Sequence, residues 1–339
     1  MTNSTPLPTM PTEASIDTAK LAQLCKASAD PLRLDILRVL RDGSFGVMEL
    51  CKIFNVKQSG MSHHLKVMAT SGLLETRKEG NSIFYRRTVN LEQHALKPLI
   101  DTLFQSVDQT VLPESIQTRL TETYQERAQV SHQFFEKNAA RFRAQQDLIA
   151  SWKDYGTNAA NLLGDIEQPT KTLAVEFGPG TGEMLIELAN RYQSVVGIDT
   201  SEEMLAQAQQ SIQGLDNVEL RHGDASELFH QPVSVADPHQ PKANLVTCNM
   251  VLHHVPAPEK LIESAANILA PQGLLLITEL CAHDQKWARE HCGDLWMGFE
   301  QDDIDRWAHS FKLVPASTQY LALRNGFQIQ VLIYRKDTQ

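Results

Sequence analysis

Three glycines at alternate positions, following an apolar run that ends in an acid, constrain this chain more than any other stretch. The segment reads Leu173-Ala174-Val175-Glu176-Phe177-Gly178-Pro179-Gly180-Thr181-Gly182. Strand-forming residues give way at once to residues that tolerate left-handed backbone. The pattern predicts a buried strand turning sharply into a helix, with backbone amides open to a ligand. A second apolar run, Ser194-Val195-Val196-Gly197-Ile198, ends in Asp199, 17 residues after Gly182. That interval suits one helical crossover between parallel strands. A carboxylate so placed can accept both hydroxyls of a ribose, so a nucleoside-containing ligand is expected. A third acid, Asp224, closes Asn217-Val218-Glu219-Leu220-Arg221-His222-Gly223, with Ala225 after it. A fourth apolar run spans Asn244 to Val255 and contains Asn249 and the pair His253-His254.

The order E-x-G-x-G-x-G, with the acid ahead of the glycines, differs from the G-x-G-x-x-G of dinucleotide binders. Together with the two later strand-end acids, it makes residues 130–339 resemble the class I S-adenosylmethionine-dependent methyltransferases. The resemblance implies a ligand, S-adenosyl-L-methionine or S-adenosyl-L-homocysteine. It implies that Glu176 with Gly178, Gly180 and Gly182 holds the methionine part, and that Asp199 binds the ribose. Thr200 and Met204 would pack near the adenine. Asp224 would accept from the adenine amino group beside the Ala225 amide, and Asn249 would line the methionine end. Glycines that serve only tight packing are the plainer reading, but packing does not call for three carboxylates at strand ends.

Charge divides the chain. Residues 1–100 carry 13 Lys/Arg against 9 Asp/Glu, whereas residues 101–339 carry 18 against 32. A basic front on an acidic body suits a polyanion-binding module joined to a domain with another task. At 339 residues the chain is long enough for two cores. Met1 to Ser15 reads as an unstructured lead with no basic and apolar signal pattern. No apolar run reaches membrane-spanning length. The five scattered cysteines, Cys25, Cys51, Cys248, Cys281 and Cys292, suit free thiols in a reducing cytoplasm.

The front third has its own periodicity. Ile16 to Cys25 has helical spacing, and Asp30-Pro31 starts a second helix with an acid at the cap and proline at the first position. Met48 to Phe54 and Gln58 to Met68 read as third and fourth helices, followed by a hairpin over Leu73–Arg86 that turns at Glu79-Gly80-Asn81. The result is a winged helix-turn-helix. Ala29-Asp30-Pro31-Leu32-Arg33-Leu34-Asp35-Ile36-Leu37, Ser62-His63-His64-Leu65-Lys66 and Ser71-Gly72-Leu73-Leu74 make residues 15–105 resemble the ArsR family of bacterial repressors. The resemblance implies that the fourth helix enters the major groove of double-stranded DNA, where Gln58, Ser59, Ser62 and His63 reach base edges. Lys66, Arg77, Lys78 and Arg86 would meet phosphates or the minor groove. His63 and His64 project about 100° apart on the helix, so one of the pair can face DNA while the other packs.

The family works as a dimer on a palindromic operator. Leu21 and Leu24 could pair with Leu96, Leu99, Ile100, Leu103 and Phe104 across such an interface, or pack within the domain. Metal-sensing relatives carry an E-L-C-x-C-x-L pattern, but Gly46 and Met48 stand here where the cysteines would be. Cys51 alone offers too few soft ligands, and His94 lacks a partner at ligand spacing, so no metal is expected. The second domain is then the natural sensor, an arrangement similar to S-adenosylhomocysteine-responsive regulators of methionine-cycle genes.

Residues 106–160 contain few glycines and read as a helical connector, with apolar positions at Ile116, Leu120, Tyr124, Val130, Phe134, Phe135, Phe142 and Leu148. Ser131 to Phe142 resembles the helical lid that precedes the first strand of methyltransferases. An ordered connector can transmit a ligand-driven tilt; a plain amphipathic spacer is the other reading. The expected division is an unstructured lead (1–15), an ArsR-type winged domain (16–105), a connector and lid (106–160) and a Rossmann-like α/β methyltransferase domain (161–339).

Methyl transfer needs an acceptor held in line with the sulfonium, and often a base. His253, His254, His283, His291, Cys281 and Glu279 are candidates, but no spacing joins them into a constellation. His253 and His254 are expected to diverge on an extended segment and form pocket wall. Cys248, Cys281 and Cys292 do not match the thiol pattern of arsenic methyltransferases. Trp296 and Phe299 are either core or pocket lining, and Phe327–Tyr334 is expected to close the sheet as an antiparallel edge. Two functions remain: a transcriptional regulator that senses an adenosyl ligand, or a working small-molecule methyltransferase with an attached DNA-binding domain.

Overall fold

The computed structural model describes residues 17–41, 43–79, 82–88, 94–168, 170–225 and 242–338. The expected lead, residues 1–15, lies outside the described residues. The chain divides into two compact units, residues 1–77 with 85–114, and residues 78–84 with 115–339.

In the first unit, α1 (Thr18–Ser28) starts at Asp17, whose carboxylate accepts the Ala19 amide. The second helix, α2 (Pro31–Val39), begins as the sequence predicts: Asp30 accepts the Arg33 amide at 3.1 Å and Pro31 occupies the first turn. Next come β1 (Phe45–Gly46) and α3 (Val47–Phe54), which ends where Asn55 turns left-handed at φ 52°. They lead into α4 (Gln58–Thr70), the hairpin β2 (Leu74–Glu79) and β3 (Ser82–Arg87), and α5 (Lys97–Asp108). The strands pair in the order β1-β3-β2. Leu24, Ile36, Leu37, Leu50, Ile53, Met61 and Leu65 fill the core. Arg87 reaches Asp108 at 2.6 Å and ties α5 to the sheet. Helix, turn, helix and the two paired wing strands therefore form as expected; Gly80 and Asn81 of the expected hairpin turn lie outside the described residues.

The connector is one long helix, α6 (Glu114–Ile149), followed by α7 (Trp152–Gly164). Of its expected apolar positions Ile116 is buried, while Val130 and Leu148 are about 60% exposed. The side chains of Phe135 and Phe142 lie outside the described residues.

The second unit is built on seven strands in the order β6-β5-β4-β7-β8-β10-β9. They are β4 (Leu173–Phe177), β5 (Ser194–Asp199), β6 (Val218–His222), β7 (Ala243–Asn249), β8 (Leu269–Leu280), β9 (Leu313–Ala322) and β10 (Gln328–Lys336). Helices α8 (Glu183–Ala189), α9 (Glu202–Ser211) and α10 (Pro258–Ile268) serve as crossovers, and α11 (Lys286–Cys292) and α12 (Gln301–Ser310) follow β8. Five strands run parallel, and the chain order reverses between β4 and β7, the place where doubly wound folds hold ligands.

Two strand expectations need correction. Phe327–Tyr334 is not an edge: β10 lies between β8 and β9 and pairs antiparallel with both. Ile329, Val331, Leu332 and Ile333 are all buried, whereas β9 alternates toward solvent and carries Pro315, as an edge strand does. The sequence Ala270-Pro271-Gln272-Gly273 reads as a proline-glycine turn ahead of a buried strand, but it is absorbed into β8 as a register shift, with Gln272 at φ 63°. At the other edge, β6 shows solvent the ion pair Arg221–Glu219 at 2.8 Å.

Candidate functional site

At the carboxyl ends of β4, β5 and β7 a cavity of about 620 Å³ opens, within the range that small-molecule sites occupy. Glu176, Gly178, Gly180, Asp199, Thr200, Met204, Asp224, Ala225 and Asn249 all line it. Strand register explains the convergence: Glu176 lies opposite Gly197 and Thr247, and Asp199 opposite His222. Parallel strands in register end together, so residues far apart in sequence meet at one rim.

The glycines do different work. Gly178 sits at φ 64°, and a Cβ there would stand 2.6 Å from Val251 Cγ2. Gly180, at φ 55°, has nothing within 4 Å of that position and leaves backbone open to the cavity. Gly182 is absent from the lining. Its φ of 91° turns the chain into α8, and a Cβ there would meet the Ala208 backbone at 3.3 Å. It allows α8 and α9 to approach, a packing role the sequence could not separate from ligand binding.

Burial sets the electrostatics. It pushes the Glu176 carboxyl up to about 8; the amide of Asn249, donating to Oε1 at 3.2 Å, pulls the other way and nearby Glu183 adds to the rise. Among the described residues, Oε2 of Glu176 is buried without a hydrogen-bond partner, and so is Oδ1 of Asn249. Burial likewise lifts Asp199 to about 6, against the opposing pull of the Ser201 and Thr200 amides and of His222. Ser201 N donates to Asp199 Oδ1 at 2.9 Å. A pocket with such carboxylates favours a ligand that brings a cation and hydroxyl donors.

Helices also contribute. Tyr124, Gln125, His132, Gln146 and Asp147 of α6, Trp152 and Tyr155 of α7, and Lys260 of α10 line the same cavity. The sequence reading placed Tyr124 on the connector and His132 in the lid but assigned none of these side chains to the ligand site, because nothing in a helix's own periodicity says which strand ends it will cover. The Trp152–Tyr155 spacing was the available signal. Trp296 and Phe299, left open between core and pocket, are buried and do not line the cavity.

His253 and His254 do not lie on an extended segment. They form a one-turn 3-10 helix, Leu252–His254, and their ring centroids are 4.0 Å apart. The tight turn at the end of β7 overrides the divergence expected of an extended pair. His254 lines the cavity, while His253 is wholly buried with Nδ1 2.6 Å from Glu279 Oε1. Burial lowers both imidazoles, His253 to about 3. Burial also raises the Cys281 thiol to about 11 and the Cys292 thiol to about 12, so neither is a ready thiolate.

On α4 the side chains sort by face. Gln58, Ser59, Ser62, His63 and Lys66 are exposed, and His64 turns partly inward with a buried Nδ1. Met61, Leu65 and Met68 anchor the opposite face. Arg77 is half-buried and Lys78 exposed, the latter within the second unit. Arg86 donates to Glu75 at 2.6 Å, so it is held along the hairpin. Of the expected dimer residues, Leu24, Leu96 and Ile100 are spent in the core, while Leu21, Leu99, Leu103 and Phe104 keep some exposure.

The fold and rim define a class I methyltransferase domain carried behind a winged helix-turn-helix. Comparison with known proteins agrees. Residues 159–330 match the methyltransferase-domain family and residues 30–76 the bacterial regulatory proteins of the ArsR family. The transcriptional activator HlyU of Vibrio cholerae is 36% identical over 91 residues, 27% of this chain and 81% of that protein. A biofilm growth-associated repressor of Agrobacterium fabrum is 34% identical over 99 residues, 29% of this chain and 78% of that protein. The ubiquinone biosynthesis O-methyltransferase of Psychrobacter arcticus is 26% identical over 162 residues, 47% of this chain and 60% of that protein. The chain belongs to the methyltransferase-domain family and, through its N-terminal part, to the ArsR-type regulators: it is a transcriptional regulator fused to a methyltransferase domain. Among the described residues no helix is long and apolar enough to cross a membrane.

Proposed function

We propose that this protein is a DNA-binding regulator that senses S-adenosyl-L-homocysteine or S-adenosyl-L-methionine in its methyltransferase-fold domain. One observation carries the reading: carboxylates at the ends of three neighbouring strands and the long helix α6 line one cavity. Asp199 takes the ribose hydroxyls and Asp224 the adenine amino group, with Thr200, Met204 and Ala225 at the ring. Glu176, Asn249 and the Gly178–Gly180 turn take the amino-acid end. A ligand in contact with α6 changes the free energy of that helix. Through α6 it biases the winged domain that precedes it in the chain, which is the differential contact a switch requires.

The DNA-facing residues are Gln58, Ser59, Ser62 and His63, with Lys66 and the wing cations Arg77, Lys78 and Arg86 on phosphate. A homodimer joined through Leu21, Leu99, Leu103 and Phe104 would present two such helices to a palindromic operator, with half-sites about one helical turn apart. The working boundaries are 16–105 for the winged domain, 106–160 for connector and lid and 161–339 for the sensor, and the setting is cytoplasmic. Control of methionine-cycle genes fits a ligand that reports on methyl-group use.

The test is a gel-shift titration on an operator selected from random duplexes, with each ligand added in turn, alongside both ligand affinities with and without DNA. Release of the duplex by one ligand, with a reciprocal loss of that ligand's affinity on DNA, is expected. Indifference to both ligands would end the sensor reading. A second reading, methyl transfer to a small acceptor, is supported by cavity wall beyond the adenosyl residues, at Tyr124, Gln146 and Lys260. Turnover of labelled S-adenosylmethionine across an acceptor panel would favour it.

A further inference from the structure

The cavity has two halves of opposite character. Asp199 and Asp224 follow β5 and β6 on one side of β4, the side proposed for the nucleoside. On the other side of β4 the chain leaves β7 and reaches Val255, Pro256, Ala257, Lys260 and Leu261, which line the same space. Five carboxylate side chains line the cavity, those of Asp147, Glu176, Glu183, Asp199 and Asp224. Among the described residues Lys260 is the one lysine or arginine that does so.

Packing holds Lys260 in place. It sits in the first turn of α10, and its ammonium lies 4.6 Å from the centroid of the Tyr124 ring, within cation–π range. The ring is fixed in turn, because Tyr124 Oη donates to Glu259 Oε1 at 3.1 Å. Glu259 itself is buried and absent from the cavity wall, as expected of a helix neighbour that projects about 100° away. Among the described residues the Lys260 ammonium forms no ion pair. Helix α10 also begins here without a side-chain cap, so the positive end of its dipole adds to the field of the ammonium. The wall beside it is largely apolar: Val255, Pro256, Ala257 and Leu261, with Ala128 one turn along α6 from Tyr124.

An adenosyl ligand does not answer this cation. Its sulfonium and ammonium belong beside carboxylates, and its one carboxylate shares a carbon with the ammonium assigned to Glu176. We propose that Lys260 and the apolar wall beside it bind the carboxylate of a second small molecule, with a compact apolar or aromatic body, alongside the adenosyl ligand. The inference deepens the second reading, on which it rests, by naming the class of its acceptor: a carboxylic acid held by its anion. Transfer would break the methyl–sulfonium bond, leave that electron pair on sulfur, join the methyl to a hydroxyl or amino group of the acceptor and release one proton to water. A charge-assisted contact in a partly desolvated cavity is stronger than the same contact in bulk water. One ammonium balances one negative charge, and the five carboxylates elsewhere in the cavity repel a dianion, so a carboxylate is favoured over a phosphate monoester.

Fluorine NMR on the full-length protein loaded with S-adenosylhomocysteine is the test, with 4-fluorobenzoate and the uncharged, similarly shaped 4-fluorobenzamide as probes. The benzoate should bind at least about tenfold more tightly than the amide, the size of one charge-assisted contact, and more tightly than 4-fluorophenyl phosphate. Lys260→Met keeps an apolar stem against Tyr124 and removes the charge. It should erase the benzoate preference while S-adenosylhomocysteine binds within about twofold of wild type. A benzoate that does not outbind the amide, a preference that survives Lys260→Met, or a phosphate that binds more tightly would each overturn the proposal. So would a Lys260→Met variant that loses S-adenosylhomocysteine but keeps 5′-methylthioadenosine, since the lysine then serves the amino-acid carboxylate of the adenosyl ligand. Should wild-type protein not bind S-adenosylhomocysteine in calorimetry, the adenosyl reading ends, and the same probes on the unloaded protein decide the anion site by itself.

Discussion

Asp199 offers the sharpest quantitative test of the adenosyl cavity. Its carboxylate sits at the end of β5 on the cavity rim, already holding the Ser201 amide at 2.9 Å. A ribose would add two hydroxyl donors to the same group. Hydrogen bonds to a charged partner contribute about 1.5–3 kcal/mol each, so the pair sets a ceiling of about 3–6 kcal/mol. Asp199→Ala opens space that water can enter and partly satisfies the stranded hydroxyls. A loss of about 1.5–3 kcal/mol is expected, at least about tenfold in affinity and centred near fortyfold. The pH dependence follows from the sign of the shift. Burial raises Asp199 to about 6 in the free protein, and only the ionised form accepts both hydroxyls. Affinity should therefore be flat well above pH 6 and fall as pH drops through that value, by up to about tenfold per unit. The assay is calorimetry with 5′-methylthioadenosine, which lacks the amino-acid tail and so isolates the ribose from Glu176. An Asp199→Ala variant with wild-type affinity, or a wild-type profile flat down to about pH 5, would refute the assignment.

Four further outcomes follow from the same structure. Glu176, raised to about 8, carries a proton in the free protein at neutral pH and must lose it to pair with an ammonium group. Binding of S-adenosylhomocysteine, but not of 5′-methylthioadenosine, should then release protons, seen as calorimetric heats that vary with buffer ionisation enthalpy; equal heats in all buffers contradict it. The same rise means that ionisation of Glu176 costs stability as pH climbs from 4.5 toward 8, so Glu176→Gln should raise the melting temperature of the ligand-free protein at alkaline pH while weakening the ligand. Gly182→Ala, at φ 91° and against the Ala208 backbone, should cost about 1–2 kcal/mol in urea denaturation, and an unchanged midpoint would remove its packing role. On α4, Lys66→Ala should lower affinity evenly across sequences and flatten the salt slope by about one, whereas Ser62→Ala should change sequence preference at one base pair; salt-dependent binding to operator variants separates the two.

What could be read from the sequence was what the chain encodes locally. Caps and periodicity placed α2 and α4, and the acids ending apolar runs placed Glu176, Asp199 and Asp224 on one rim, because parallel strands share an end. What stayed hidden depends on contacts between distant segments. Gly182 looked like its neighbours until Ala208 was packed against it. His253 and His254 looked divergent until the chain turned after Asn249. The order of β9 and β10 followed from which strand could be covered on both faces, a property of the finished sheet.

The two ends of that sheet carry their own consequence. β6 shows solvent a charged pair, and β9 carries a proline and an irregular register with β10 between Ile333 and Tyr334. Neither offers the flat, uncharged ladder on which a stranger's strand could grow. Strand addition at either edge of the folded sheet is thereby disfavoured, which blunts one route into fibrous aggregates.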